Sequence, residues 1–334
     1  MPGARILEVR DLRVEYATSR APVVAVDGVD LDVHQGEFVG VVGESGCGKS
    51  TLLFAIARLL SPPAAVTAGS VTFRGQNLVT MTEKQLRALR WRDYSVVMQS
   101  AMNALNPVLT IAAQFRDAIE AHSTRSGREI AERSVEVLKL VGIDPVHLRS
   151  YPHQLSGGMR QRAMIAMALL FTPDLVIMDE PTSALDVVAQ RSMMVQITEL
   201  QERLGFAVVF VTHDVSLVSH FSDQLLVMYA GKVVEAGPTR AVFDTPAHPY
   251  SRGLLEAFPS VRGPVLPLTG IPGSPPDLAQ PPPGCRFHPR CPVAFADCGT
   301  IEPELYPVGP ARARCLLHAP DRDDALPVPE EARR

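Results

Sequence analysis

The sequence has no apolar run long enough to cross a bilayer. Its longest uninterrupted stretch, residues 163–171, falls far short of the ~20 residues that a spanning helix needs. The opening residues, Met1-Pro-Gly-Ala-Arg-Ile-Leu7, carry no apolar core of a signal peptide. A cytosolic chain is therefore expected, one that meets a membrane only through partners. There is no excess of positive charge: 32 Lys and Arg stand against 36 Asp and Glu, a net charge of −4, so nothing global attracts nucleic acid. A sustained heptad pattern is also absent, which removes a long coiled coil. Cysteine is scarce and unevenly spread. Of five, Cys47 stands alone, while Cys285, Cys291, Cys298 and Cys315 crowd into the last fifth of the chain. Cytosolic disulfides are uncommon, so the crowd suggests a metal before a staple.

What is present is a folded protein of 334 residues, 46% hydrophobic and 20% charged, enough for one large domain or two ordinary ones. Its organising stretch is Gly43-Glu-Ser-Gly-Cys-Gly-Lys-Ser-Thr51, which fits G-x-x-x-x-G-K-[ST] without mismatch. The apolar run 38–42 before it reads as a buried strand, and 52–57 after it reads as a helix. Gly43, Gly46 and Gly48 let the backbone turn and aim its N–H groups inward, with Ser45 and Cys47 between them. The helix start adds its positive end, so an anion such as the phosphates of ATP is held by many donors. Lys49 is placed for the β- and γ-phosphates, the Ser50 hydroxyl for Mg²⁺, and Thr51 for the α-phosphate.

Residues 6–42 read as strands of antiparallel type. Tyr16 ends the first of them, either as a platform for a nucleotide base or as a core aromatic. A strand pair at 69–80 and a mixed-charge helix at 82–91 follow, then a buried strand at 94–99 and a helical stretch at 110–142 stopped by Gly142. An apolar helix at 163–171 precedes the strand 175–180, the helix 187–204 and the strand 206–214, and a hairpin closes at 225–235. Strands alternating with helices imply a parallel sheet whose strand ends bind ligand. Gln99, Asp179, Glu180 and His213 all stand at such ends. Asp179 suits Mg²⁺, with Gln99 reaching metal and water. Glu180 suits the general base that polarises an attacking water, and His213 suits a contact to the γ-phosphate. Leu155-Ser-Gly-Gly-Met159 is a second anion device: Ser156 caps a helix, while Gly157 and Gly158 allow close approach. One nucleotide does not need two such cradles from one lobe. The economical reading gives this turn to the ATP of a second subunit.

From about residue 246 proline and glycine become dense and apolar runs stop, which marks an irregular extension. The thiols in it are spaced Cys285-x5-Cys291-x6-Cys298-x16-Cys315. This lacks the C-x2-C knuckle usual for zinc and matches no ferredoxin run. Arg286, Arg290, Arg312 and Arg314 lie nearby in sequence as compensating charge, and His288 and His318 are alternative zinc ligands.

These motifs together resemble the ATP-binding subunit of an ABC transporter. The resemblance covers about residues 5–245: phosphate loop, Gln99, the signature 155–159, the strand 175–180, the Ser183-Ala-Leu-Asp186 turn, His213 and Tyr16. The tail, with Ala247-His-Pro-Tyr250 and Gly284-Cys-Arg-Phe-His-Pro-Arg-Cys-Pro292, resembles the C-terminal extension of dipeptide/oligopeptide and nickel importer ATPases. The resemblance implies an α/β P-loop NTPase fold of ABC type, over residues 1–245, with an antiparallel β subdomain and a helical subdomain at about 100–158. It implies a Pro-rich, Cys-containing extension over 246–334. It further implies a live ATPase at the cytoplasmic face of the membrane, paired with a second, homologous ATPase. The pair would dock on two permeases fed by an extracellular or periplasmic binding protein, with the permease contacts between Gln99 and the signature, where Ser100-Ala-Met-Asn-Ala-Leu-Asn-Pro107 also fits this family. For the four cysteines it implies a [4Fe–4S] cluster, with Zn²⁺ and unliganded thiols as the alternatives, between which the spacing by itself does not decide. Peptide cargo, nickel or another small solute all fit this family. A soluble ABC ATPase acting on nucleic acid or ribosomes is the rival class, and the single phosphate loop and negative charge weigh against it. A non-hydrolysing subunit is the third reading, opposed by the intact Glu180 and His213.

Overall fold

The computed structural model describes residues 3–99, 104–182, 185–257 and 270–320. The chain forms two compact units. The first comprises residues 1–8, 32–38 and 72–212, the second 9–31, 39–71 and 213–334.

The first unit holds a short strand, β5 (Gln76–Asn77), and is built on three parallel strands, β6 (Tyr94–Val97), β7 (Leu175–Asp179) and β8 (Ala207–Val211). Leu175 lies opposite both Tyr94 and Ala207, and Asp179 lies opposite Val211. Every residue of β7 and β8 is buried, as expected of strands covered on both faces. The helices are α2 (Glu83–Leu89), α3 (Ile111–His122), α4 (Gly127–Leu140), α5 (Gly157–Ala168) and α6 (Val187–Leu204). Each begins at a side-chain cap: Thr82, Thr110, Ser126, Ser156 and Asp186. Such a cap satisfies one of the N–H groups that a helix start leaves without a partner.

Three expectations are corrected here. The helical stretch 110–142 is two helices, because Ser126 and Glu129 form a reciprocal capping box that starts a new one. The helix expected at 163–171 begins earlier, at Gly157, since Ser156 caps it, and it ends at Ala168. The helix expected to reach Trp91 stops at Leu89, and Trp91 takes φ 69°.

The strands β1 (Arg5–Tyr16), β2 (Val23–His34) and β4 (Ala64–Phe73), most of whose residues belong to the second unit, lie in the order β2-β1-β4. The strand β3 (Phe38–Val42) is parallel to β9 (Gln224–Tyr229), with Val42 opposite Val227. The strand β10 (Lys232–Pro238) pairs antiparallel with β9. The extension then adds to this sheet. Its β12 (Ala311–Ala313) pairs with β10, Glu235 opposite Ala313, and β11 (Tyr306–Val308) pairs with β12. The helices are α1 (Lys49–Ile56), α7 (Val215–Phe221), α8 (Thr239–Asp244) and α9 (Pro249–Glu256). A Cβ on Gly40 would come 2.4 Å from Val218 Cγ1, so the glycine lets α7 lie close on β3.

The helix α9, which composition alone hid, starts with Pro249 after a histidine cap. The Tyr250 N–H donates to His248 Nδ1 at 3.0 Å. The His248 ring is 1% exposed. Burial, with His318 nearby, pushes its pKa down from 6.5 to about 3. A proton on Nδ1 would also face the N–H it now accepts. The unfolded ring takes its proton near 6.5, so between those values folding expels a proton. Stability is full above about 6.5 and falls as the pH drops below it, by about 1.4 kcal/mol per unit. Urea unfolding at pH 7.5 and 5.5 should show about 1.4 kcal/mol more acid loss in the parent than in His248→Asn, which caps without titrating. Equal losses would remove His248 as the cause.

Candidate functional site

The second unit carries the phosphate loop. Gly43, Gly46 and Gly48 have φ of 153°, 79° and 105°, values that favour glycine. Two of them have no room for a side chain either: a Cβ would lie 2.2 Å from Met228 O at Gly43 and 2.1 Å from Ala25 O at Gly48. Around Gly46 the space is open, so only the backbone angle requires glycine there. Gly48 is the N-cap of α1 and brings no side chain to its first N–H groups, which suits an anion. Lys49 is buried, and its Nζ donates to Gly43 O at 2.8 Å and Glu44 O at 2.9 Å. Ser50 and Thr51 follow in the first turn of α1. Tyr16, at the end of β1, has its hydroxyl 3.1 Å from Thr51 Oγ1. It is half-buried beside the loop's helix. His213 is exposed, next to Asp214, whose Oδ1 caps α7 by accepting from the Ser216 N–H at 2.9 Å.

The first unit carries the carboxylates. Asp179 ends β7 and is 1% exposed. Glu180 follows with φ 44°, a conformation that costs a non-glycine residue about 1 kcal/mol or more and often marks a working site. Its N–H donates to Val211 O at 2.9 Å, and its Oε2 accepts from Gln99 Nε2 at 2.9 Å. Gln99 lies two residues past the end of β6. Ser156 Oγ accepts from the Met159 N–H at 3.2 Å, which places Gly157 and Gly158 in the first turn of α5. A Cβ on Gly158 would meet nothing within 4 Å, so no packing inside the chain requires that glycine. Ser183 and Ala184, and residues 100–103 of the stretch after Gln99, lie outside the described residues.

The four extension cysteines line one small cavity, together with Phe287, His288 and Leu316. Burial pushes the Cys291 thiol up to about 11 and Cys315 to about 12, and raises Cys285 as well; the neighbouring thiols add to each. Nearby backbone amides, of Phe287 and His288 for Cys285, Val293 for Cys291 and Leu317 for Cys315, partly offset the rise. Among the described residues no three His, Cys, Asp or Glu side chains are grouped to hold a metal ion.

Three of the four arginines expected to compensate the thiols are occupied elsewhere. Arg286 pairs with Asp27 and Arg290 with Glu44, while Arg314 donates to Val233 O and Pro303 O. His318, offered as a zinc ligand, has Nε2 3.0 Å from Ala247 O. His288 does border the thiol cavity, with Nδ1 2.9 Å from Cys285 O.

Sequence reasoning missed Glu44, Tyr250 and Asp27, and gave Arg290 a different role. The Asp27 carboxylate gathers Arg13, Lys232 and Arg286. Burial raises its pKa, but the three cations more than offset this and hold it below the usual range. Glu44 occupies a position that the loop motif leaves free, so no motif could flag it.

A strand, a glycine loop in left-handed geometry and an uncapped helix start define a P-loop nucleotide-binding protein. The ABC transporter family pattern matches residues 26–183, and the pattern of the oligopeptide/dipeptide transporter C-terminal region matches 234–298. The dipeptide transport ATP-binding protein DppD of Caldanaerobacter subterraneus is 40% identical over 320 residues, 95% of this chain and 98% of that protein. The oligopeptide transport ATP-binding protein OppD of Salmonella typhimurium is 42% identical over 318 residues, 95% and 94% of the two chains. Among solved structures, the ATP-binding cassette MJ0796, a dimer in a post-hydrolysis state with ADP and Pi, superposes with a TM-score of 0.63 at 30% identity. That match covers 70% of this chain and 99% of that one. The chain belongs to the ATP-binding subunits of ABC transporters and is an ABC-type ATPase. Among the described residues no helix is long and apolar enough to cross a membrane.

Proposed function

We propose that this chain is the ATP-hydrolysing motor of a peptide importer. The observation that carries the reading is the match of both parts of the chain, cassette and extension, to proteins described as dipeptide and oligopeptide transport ATP-binding proteins. The cassette spans about 1–245 and the extension 246–334, with permease contacts in 100–158. The chain pairs with a second ATPase, most economically a homologue, and the pair docks on two membrane permeases at the cytoplasmic face. An extracellular or periplasmic binding protein delivers the solute. The extension supports a transporter of this family over a nucleic-acid or ribosome ATPase, and the descriptions of the matched proteins support the peptide branch over a nickel or other small-solute importer.

In this reading Lys49 exchanges the carbonyls of Gly43 and Glu44 for the β- and γ-phosphates, and Tyr16 faces the base. The hydroxyl of Ser50, the amide of Gln99 and the carboxylate of Asp179 each offer a hard oxygen donor of the kind that Mg²⁺ prefers. Glu180 accepts the proton of the attacking water, with Gln99 orienting its carboxylate, and His213 contacts the γ-phosphate. Ser156, Gly157 and Gly158 close over the partner's ATP; the open space at Gly158 supports an approach from outside the chain. Purified complex in vesicles should take up labelled dipeptide only with ATP on the motor side. Uptake of nickel but not dipeptide would move it to the neighbouring branch.

Cys285, Cys291, Cys298 and Cys315 would hold an iron–sulfur cluster of the [4Fe–4S] type. The support is the resemblance of this part of the chain together with four thiols that border one cavity, although among the described residues they are not grouped as metal ligands. Its role here is structural. Chain purified without oxygen should contain about four iron and four sulfide per molecule, as a [4Fe–4S] formula requires. Zinc without iron would contradict the cluster.

A further inference from the structure

Glu44 is held more firmly than any motif would suggest. Its two carboxylate oxygens take the Arg290 guanidinium in a fork, Nη1 to Oε2 at 2.7 Å and Nη2 to Oε1 at 3.0 Å. Its backbone N–H donates to the Tyr250 hydroxyl at 2.9 Å. Neither partner is loose. The Arg290 side chain is 6% exposed and its Nε donates to Pro272 O at 2.8 Å. Tyr250 is fully buried against Tyr229 and Phe287, with ring centroids at 4.6 and 5.4 Å. On the loop's other side the Gly231 N–H donates to Cys47 O at 2.9 Å. The loop is therefore gripped from the extension at Glu44, beside the two successive carbonyls, of Gly43 and Glu44, that accept from Lys49. A forked, charge-assisted pair fixes direction as well as distance, and a nearly buried guanidinium is costly to leave alone.

We infer that Arg290 and Tyr250 are positioning residues for the nucleotide: by clamping Glu44 they hold the phosphate loop in its receptive shape, so the extension tunes ATP affinity. The inference rests on the reading of this loop as the ATP site. Neither residue touches the phosphates; each acts through Glu44.

The test is a titration of a fluorescent ATP analogue onto the purified full-length chain, paired with steady-state kinetics of the assembled complex. Glu44→Gln and Arg290→Gln should each weaken binding roughly tenfold, the scale of one charge-assisted pair. The double variant should be no worse than the poorer single, since both remove one clamp. Arg290→Lys, which keeps the charge but not the fork, should recover part of the loss. Tyr250→Phe removes one hydroxyl and should weaken binding roughly threefold. In turnover the effect should fall far more on KM than on kcat. Glu44→Gln and Tyr250→Phe are the informative variants if Arg290→Gln melts early. The clamp is overturned if both bind within twofold of the parent, or if the losses in Glu44→Gln and Arg290→Gln multiply. Lys49→Ala separates the two readings: if it binds like the parent the loop reading fails, and if it alone loses binding only the clamp fails.

Discussion

Glu180→Gln should bind ATP as the parent does and lose turnover by about 10² to 10⁴, the scale of a general base. The substitution keeps shape and the neighbour Gln99 while removing the proton acceptor. The backbone at Glu180 takes φ 44°, and a strained residue at a strand end fits a carboxylate aimed for chemistry rather than for packing. With ATP bound and not cleaved, the assembled pair should stay closed. Phosphate release from the complex reports the rate, and equilibrium binding reports the affinity. Turnover near the parent rate would remove Glu180 as the base.

Lys49→Ala should fail one step earlier. The Nζ is a buried cation held by loop carbonyls, and its exchange onto phosphate oxygens makes charge-assisted bonds of about 1.5–3 kcal/mol each. Nucleotide affinity should fall by roughly ten- to a hundredfold on that scale. Turnover at saturating ATP should suffer as well, because the same cation faces the γ-phosphate. The two variants together order the steps, binding through the loop and cleavage through the carboxylate. Calorimetric titration of Mg²⁺-ATP checks this; parent-like affinity would contradict the loop as the ATP site.

The parts of the fold that local pattern encodes were readable. The strands β7 and β8 are continuous apolar runs because both faces are covered. The phosphate loop was readable because its glycines must sit at fixed spacing to reach positive φ. Other features depend on partners far along the chain. Ala311-Arg-Ala313 is too short to announce a strand, yet it pairs with β10. Arg290 lies 246 residues from Glu44 and Arg286 lies 259 from Asp27, and no periodicity links such positions. The nearby sequence suggested that these arginines balance thiolates. They in fact serve carboxylates, because a guanidinium fork matches a carboxylate in geometry and a thiol offers no such match. The divided helix at 110–142 was hidden for another reason: apolar spacing continues across the break, and only the Ser126–Glu129 box marks it.

The account centres on a triphosphate enclosed by the loop of one subunit and the serine–glycine turn of another. Vanadate trapped with Mg²⁺-ADP in the complete transporter, then irradiated, cuts the backbone that contacts the γ-phosphate position. The account predicts two cleavages in this chain, one within residues 43–51 and one at 156–159, the second lost when the partner's loop lysine is replaced. Cleavage confined to residues 43–51 would contradict it.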